Sequence, residues 1–360
     1  MKFVRIVLIL LAMVWATHGI AADSRTITDM GGRKVTVPAD PERIVCLGPG
    51  ALRLIVYLEA TDRVVAVESM EKMNPTGRPY WIARSELHDL PSSGPGGPAA
   101  INKKPALEAL LRARPDVIFV TYMDPALAED VQKTLSIPMV GLTYGEFATF
   151  DEAVYDSLRI AGTVLGQSDR AEAVVDYISR LRDDLMARTR NVPTPARAFV
   201  GGIGHRGAQG IESTEQNYIP LDGINAVNLA DTVEAGIGSH VFVDKEMLLK
   251  IDPEVIFIDG GGLALVAEDF RKKPDYYRAL TAFQTERVYT LLPFNFYTTN
   301  IGTALADAYA VGKILYPDRF ADVDPEKKAD EIYTELLGRP VYADMARDYG
   351  PIGGMPGFLK

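Results

Sequence analysis

Residues 107–120 read LEALLRARPDVIFV, and residues 245–258 read KEMLLKIDPEVIFI. In each, a glutamate (Glu108, Glu246) precedes a leucine-rich helical turn, a proline follows seven positions later (Pro115, Pro253), and an acidic residue then leads into a Val-Ile-Phe run. Proline lacks the amide that a helix interior needs, so each helix must stop there. An unbroken apolar run after it reads as a strand covered on both faces, the kind found in parallel sheets. One copy in each half of the chain predicts two similar α/β lobes with a cleft between them.

Working outward, residues 26–37 read as an edge hairpin around Gly31-Gly32, closed by Pro38 and Pro41. Strands are expected at 43–47, 63–67, 117–121 and 139–142, with helices at 51–59 and 105–112 between them. The proline-free stretch 150–191 breaks this alternation. Val154, Leu158, Ala161 and Leu165, then Val174, Ile178, Leu181 and Leu185, recur at helical spacing. The Ser168-Asp169 pair suits the cap of a second helix. A helix of about 20 residues spans about 30 Å, the width of a domain, so this segment suits a strut between lobes, or a two-helix hairpin within one. Alternation resumes with strands at 197–201, 255–259 and 288–292 and a helix at 302–315. The tail after Asp322 ends in GPIGGMPGFLK and is expected to pack loosely. The division is therefore 1–22 leader, 23–149 N-terminal lobe, 150–191 connecting helical segment, and 192–360 C-terminal lobe with its tail.

The leader reading rests on Lys2 and Arg5, the apolar run Ile6–Trp15, and the small residues Gly19, Ala21 and Ala22. That is the pattern of a cleaved secretory signal, short for a membrane span. Cys46, the only cysteine, lies inside an apolar strand well past any cleavage point, so it is expected to be neither a lipid-bearing first residue nor half of a disulfide. A hydrophobic fraction of 47% and a charged fraction of 24% fit a globular protein. A net charge of -10 argues against a nucleic-acid partner, which needs a basic footprint.

Leader, two lobes, connecting helical segment and duplicated glutamate phrase together resemble the helical-backbone class of periplasmic binding proteins, which serve ABC importers of ferric siderophores, haem and vitamin B12. The opening stretch 37–67, VPADPERIVCLGPGALRLIVYLEATDRVVAV, carries the resemblance along with the two glutamate phrases. It implies two Rossmann-like lobes with parallel-rich sheets, a long connecting helix, and a soluble, monomeric periplasmic protein that performs no covalent chemistry. It also implies that Glu108 and Glu246 dock into arginine pockets of an inner-membrane permease. A carboxylate near a helix start that receives a bidentate arginine is physically reasonable.

Ligands of open α/β sheets bind beyond the carboxyl ends of the strands. The loops there offer Arg53, Tyr80, Trp81 and Tyr122 from the first lobe, and His205, Arg206, Phe296 and Tyr297 from the second. Many relatives carry a glutamate where Arg53 stands. Arg53 with Arg206 suits an anionic chelate, and the aromatic pairs suit stacking on a planar one. An iron chelate of the ferric-siderophore kind is the expected ligand, with no cofactor. Haem, a corrinoid, or a small metal complex completed by His205 with Tyr122 or Tyr297 are the alternatives. No HExxH or CxxC spacing supports a preformed metal site.

Residues 202–207, GIGHRG, match GxGxxG, but AQGIESTEQNYIPLDG follows without a helical apolar stripe, so a dinucleotide fold is disfavoured. No GxSxG elbow suggests a hydrolase. A ligand sensor for a signalling partner is a further alternative, which the Glu108 and Glu246 pair weighs against.

Overall fold

The computed structural model describes residues 23–73, 76–145, 150–204, 207–233 and 240–360. The expected leader and the candidate residues His205 and Arg206 lie outside the described residues. Among those described, no helix is long and apolar enough to cross a membrane.

The chain opens with the expected hairpin, β1 (Ser24–Thr28) antiparallel to β2 (Lys34–Pro38). Buried Asp29 ties it down: its carboxylate accepts from the amides of Gly31, Arg33 and Gly141 and pairs with Arg33 at 2.7 Å. Five parallel strands follow: β3 (Ile44–Leu47), β4 (Val64–Glu68), β5 (Ser92–Gly94), β6 (Val117–Thr121) and β7 (Met139–Leu142). Their order is β5-β4-β3-β6-β7. Strands β3 and β6 are buried at every position, as their unbroken apolar runs require. The helices of this lobe are α1 (Ala51–Tyr57), α2 (Ser69–Lys72), α3 (Pro79–Ala83), α4 (Leu107–Ala113) and α5 (Pro125–Leu135).

The middle segment is two helices, α6 (Ala153–Leu165) and the long α7 (Ser168–Thr189). They pack closely because Gly162 carries no Cβ where the Ala171 methyl approaches. The expected Ser168 cap is not formed. Gly166 ends α6 in the left-handed conformation, the chain re-enters a helix at once, and Gln167 holds the cap position without a side-chain bond.

The second lobe contains β8 (Arg197–Gly201), β9 (Ser213–Glu215), β10 (Val227–Asn228), β11 (His240–Phe242), β12 (Ile256–Asp259) and β13 (Val288–Leu291). A parallel sheet runs β10-β8-β12-β13, and β9 pairs antiparallel with β11. Its helices are α8 (Ile219–Asp222), α9 (Lys245–Ile251), α10 (Leu263–Lys272), α11 (Pro274–Arg278), α12 (Thr281–Gln284), α13 (Ile301–Leu315), α14 (Pro325–Leu337) and α15 (Tyr342–Tyr349). The duplicated phrase forms the same unit twice: α4 into β6 and α9 into β12. Each helix ends on a left-handed residue, Arg114 or Asp252, just before its proline.

The expectation of a loose tail is wrong. Ala329, Ile332, Tyr333, Leu336 and Leu337 form a helical apolar stripe in α14, buried against α13 and against α1 of the first lobe. Beyond α15, residues 353 and 354 exchange backbone hydrogen bonds with Thr290, and Phe358 packs 5.2 Å from Phe270.

Candidate functional site

In the first sheet the strand order reverses about β3, with β4 on one side and β6 on the other. Crevices at such switch points, beyond the carboxyl ends of the strands, are where open α/β sheets bind ligands. A cavity of about 230 Å³ lies there, at the ends of β3, β4, β5 and β6. Glu68, Ser93, the Gly94-Pro95-Gly96-Gly97 loop, Asn102, Lys103, Lys104 and Thr121 line it from the first lobe, and Tyr297 closes it from the second. Gly96 and Gly97 have φ of 64° and 79°, and a Cβ on Gly96 would stand 2.7 Å from that of Glu68. Only glycine lets this backbone bend so close to the cavity wall. The turn's amides are partly spent inside the wall itself, that of Gly94 on the Ser92 hydroxyl at 3.2 Å. Buried Ser93 Oγ has no hydrogen-bond partner among the described residues, and Lys103 and Lys104 add positive charge at the rim.

Glu68 and Tyr297 meet across the cleft. The tyrosine hydroxyl donates to Glu68 Oε2 at 2.5 Å and accepts from the Gly97 amide at 3.0 Å, while the Gly48 amide also donates to Glu68. Burial lifts the Glu68 carboxyl to about 7, against the opposing pull of the Tyr297 bond and with a further push from Glu71. The Tyr297 phenol is raised too, by burial and then by the neighbouring Glu68 charge.

Behind this wall, the Arg53 side chain on α1 crosses between lobes. Its guanidinium donates to the carbonyls of Thr299 at 2.6 Å, Phe296 and Tyr297 at 3.1 Å, and Thr298 at 3.2 Å. The rings of Tyr80 and Tyr144 lie 4.9 and 5.7 Å from it. Tyr297 and Thr298 both have positive φ, 53° and 63°. For a β-branched threonine that is a strained conformation, which persists only where its surroundings enforce it. Arg53 enforces it, and Tyr122, itself at φ 54°, adds a 3.2 Å bond to the Thr298 hydroxyl.

Of the residues expected at the ligand, the structure gathers Arg53, Tyr80, Tyr122, Phe296 and Tyr297 at the junction of the lobes, and only Tyr297 lines the cavity. Arg53 is wholly buried, and so are Tyr80 and Trp81. Tyr80 donates to Glu71 at 2.7 Å, Arg78 pairs with the same carboxylate at 2.7 Å, and Trp81 stacks on His88. Half-buried Phe296 lies 5.1 Å from the Arg78 guanidinium. Tyr80 and Trp81 are buried because they belong to α3 and not to the expected loop, and α14 packs against that helix. The His205 part of the metal alternative falls outside the described residues. Among those described, no group of three or more His, Cys, Asp or Glu side chains is placed to hold a metal ion.

Sequence reading passed over Ser93, Gly94–Gly97, Lys103 and Lys104. The available signal was a glycine-rich turn followed closely by a basic pair. It also passed over Glu215, Asp259 and Asp307, buried near the strand ends of the second lobe. Burial holds the Asp259 carboxyl at about 7, and the Glu215 charge adds to that. The GxGxxG match fails structurally: residues 207–212 lead to β9 with no helix.

Residues 44–293 match the family model described as periplasmic binding protein. Among curated proteins, the chain is 24% identical over 341 residues to the molybdate-binding protein MolA of Haemophilus influenzae, covering 88% of this chain and 92% of that one. Among solved structures, a periplasmic solute binding protein from Veillonella parvula aligns with a TM-score of 0.72 at 18% identity, covering 91% and 97% of the two chains. The catecholate-siderophore binding protein VctP of Vibrio cholerae aligns at 0.56 and 18%, covering 80% and 100%. At these identities the structural matches establish the fold alone.

Proposed function

Because the chain belongs to the periplasmic binding protein family, whose members deliver ligands to ABC importers, we propose that it captures a compact anionic metal species, an oxyanion or small chelate, in the cleft between its lobes. The observation that carries this reading is the cavity at the first lobe's switch point, with the buried, unpartnered Ser93 hydroxyl in its wall and Lys103 and Lys104 at its rim. Its volume, about 230 Å³, falls below the 300–1,000 Å³ typical of sites for drug-sized molecules. That favours a ligand smaller than the ferric siderophore the sequence resemblance suggests. The molybdate named for the Haemophilus influenzae relative is a ligand of the favoured kind.

In this reading residues 1–22 are a cleaved leader, residues 23–149 and 192–360 are the lobes, and the mature protein is a monomer free in the periplasm. Burial of Cys46 inside β3 fits a chain without a lipid anchor. Glu108 and Glu246, exposed at the starts of α4 and α9, dock it onto the permease. Tyr297 is the ligand's contact from the second lobe, and Arg53 supports it from behind.

Isothermal titration with molybdate, ferric citrate and a ferric catecholate siderophore tests the ligand class. A compact anion should bind, and Lys103→Ala with Lys104→Ala should weaken it at least about tenfold. Binding of the catecholate complex alone, or indifference to the lysines, would overturn the reading.

A further inference from the structure

The duplicated phrase repeats more than a glutamate. In each copy the first of two adjacent leucines, Leu110 or Leu248, is fully buried. The second, Leu111 or Leu249, stands 53% or 38% exposed. Each lies three residues after its glutamate, so both side chains share one helix face. A basic residue, Arg112 or Lys250, follows four after the glutamate, and Arg112 lies 3.8 Å from Glu108.

Folding does not ask for these leucines. Leu110 and Leu248 already pin each helix to its lobe, and an exposed leucine adds little to that. Outside the buried Leu110 and Leu248, the proline and the strand, the two helices differ: Leu107 corresponds to Lys245, Ala109 to Met247, Ala113 to Ile251 and Arg114 to Asp252. At the solvent-facing positions, glutamate, leucine and a basic side chain have stayed.

We propose that Leu111 and Leu249 are the apolar anchors of the surface on which the importer permease docks, each seated in a hydrophobic pocket beside the cation that receives Glu108 or Glu246. The inference rests on the docking role given to those glutamates above. Exposed ion pairs contribute little to affinity and are screened by salt. A desolvated apolar anchor next to each supplies the larger share, in the manner of interface hot spots. The same triad on each lobe matches a partner that offers equivalent surfaces twice.

The test is biolayer interferometry of the full mature protein against the permease–ATPase complex in lipid nanodiscs, at low and high salt. Leu111→Ala with Leu249→Ala should weaken binding at least about tenfold and leave its salt dependence in place. Glu108→Gln with Glu246→Gln should weaken binding and flatten the salt dependence. Met186→Ala, an exposed methionine on α7, should change nothing. If the glutamate pair matters and the leucine pair stays within about twofold, the anchors are refuted and the docking role stands. If neither pair matters, both fall. Alanine is a good helix former, and thermal melts of each variant check that the lobes remain folded.

Discussion

Arg53→Met isolates the clasp between lobes. The arginine is fully buried and has no ion-pair partner among the described residues; its guanidinium serves the carbonyls of residues 296–299. Charge-assisted bonds of this kind contribute about 1.5–3 kcal/mol each, and cation–π contacts such as those with Tyr80 and Tyr144 about 0.5–2. Against them stands the desolvation of a cation, several kcal/mol. Methionine removes that penalty but leaves the carbonyls of Tyr297, Thr298 and Thr299 without the donor, while Phe296 keeps a bond from Asn300. An unmet buried polar group costs about 1–3 kcal/mol. The expected net loss is about 3–5 kcal/mol, together with release of the strained Tyr297–Thr298 turn. Urea unfolding followed by the fluorescence of Trp81 reads the loss, and titration with the ligand reads the misplaced Tyr297. Arg53→Lys should fall between, since one ammonium cannot reach the same span of carbonyls. A methionine variant within about 1 kcal/mol of the parent would refute the clasp.

Ligand affinity should decline as pH rises through about 7, where Glu68 gains its charge beside the cavity. Glu68→Gln should flatten that decline and bind an anion about tenfold better at pH 8, as titrations across pH 5.5–8.5 would show. The same group affects stability. Its folded value lies above the unfolded 4.5, so its stabilising contribution is complete below that value and is lost as pH rises through 7. Thermal midpoints should therefore be lower at pH 8 than at pH 5.5, and Glu68→Gln should recover up to about 3 kcal/mol at pH 8. In the second lobe, a Cβ on Gly262 would stand 2.2 Å from the Gly202 carbonyl oxygen and 2.4 Å from that of Gln209. Backbone cannot yield as a flexible side chain does, so Gly262→Ala should destabilise by about 1–3 kcal/mol or more. Gly357→Ala, with open space around it, should melt like the parent.

Much of the architecture was legible before any coordinates. The Val-Ile-Phe runs became β6 and β12, and the leucine-rich turns before them became α4 and α9. The site was legible only in part. Tyr297 was singled out, and so was Arg53, but as a ligand contact at the cleft mouth. Nothing in the sequence near Arg53 shows that α14, far along the chain, covers α1, or that residues 296–299 turn their carbonyls toward it. The C-terminal tail differs from expectation for a related reason: the glycines and prolines at 350–357 mark turns locally, whereas the apolar stripe of α14 before them finds its partners, α13 and α1, only in the tertiary structure.

What the linear pattern determined by itself were two α/β lobes, the helical segment between them, and a repeated glutamate-bearing helix on each. Those features follow from periodicities of two and 3.6 residues and from where proline ends a helix, all of which act within a dozen neighbours. Only the tertiary structure decided which face of the cleft is a cavity and which is a clasp. That choice depends on contacts such as Arg53 with Thr299 and Glu68 with Tyr297, hundreds of residues apart, where burial turns an arginine into a structural bond and moves a carboxyl to about 7.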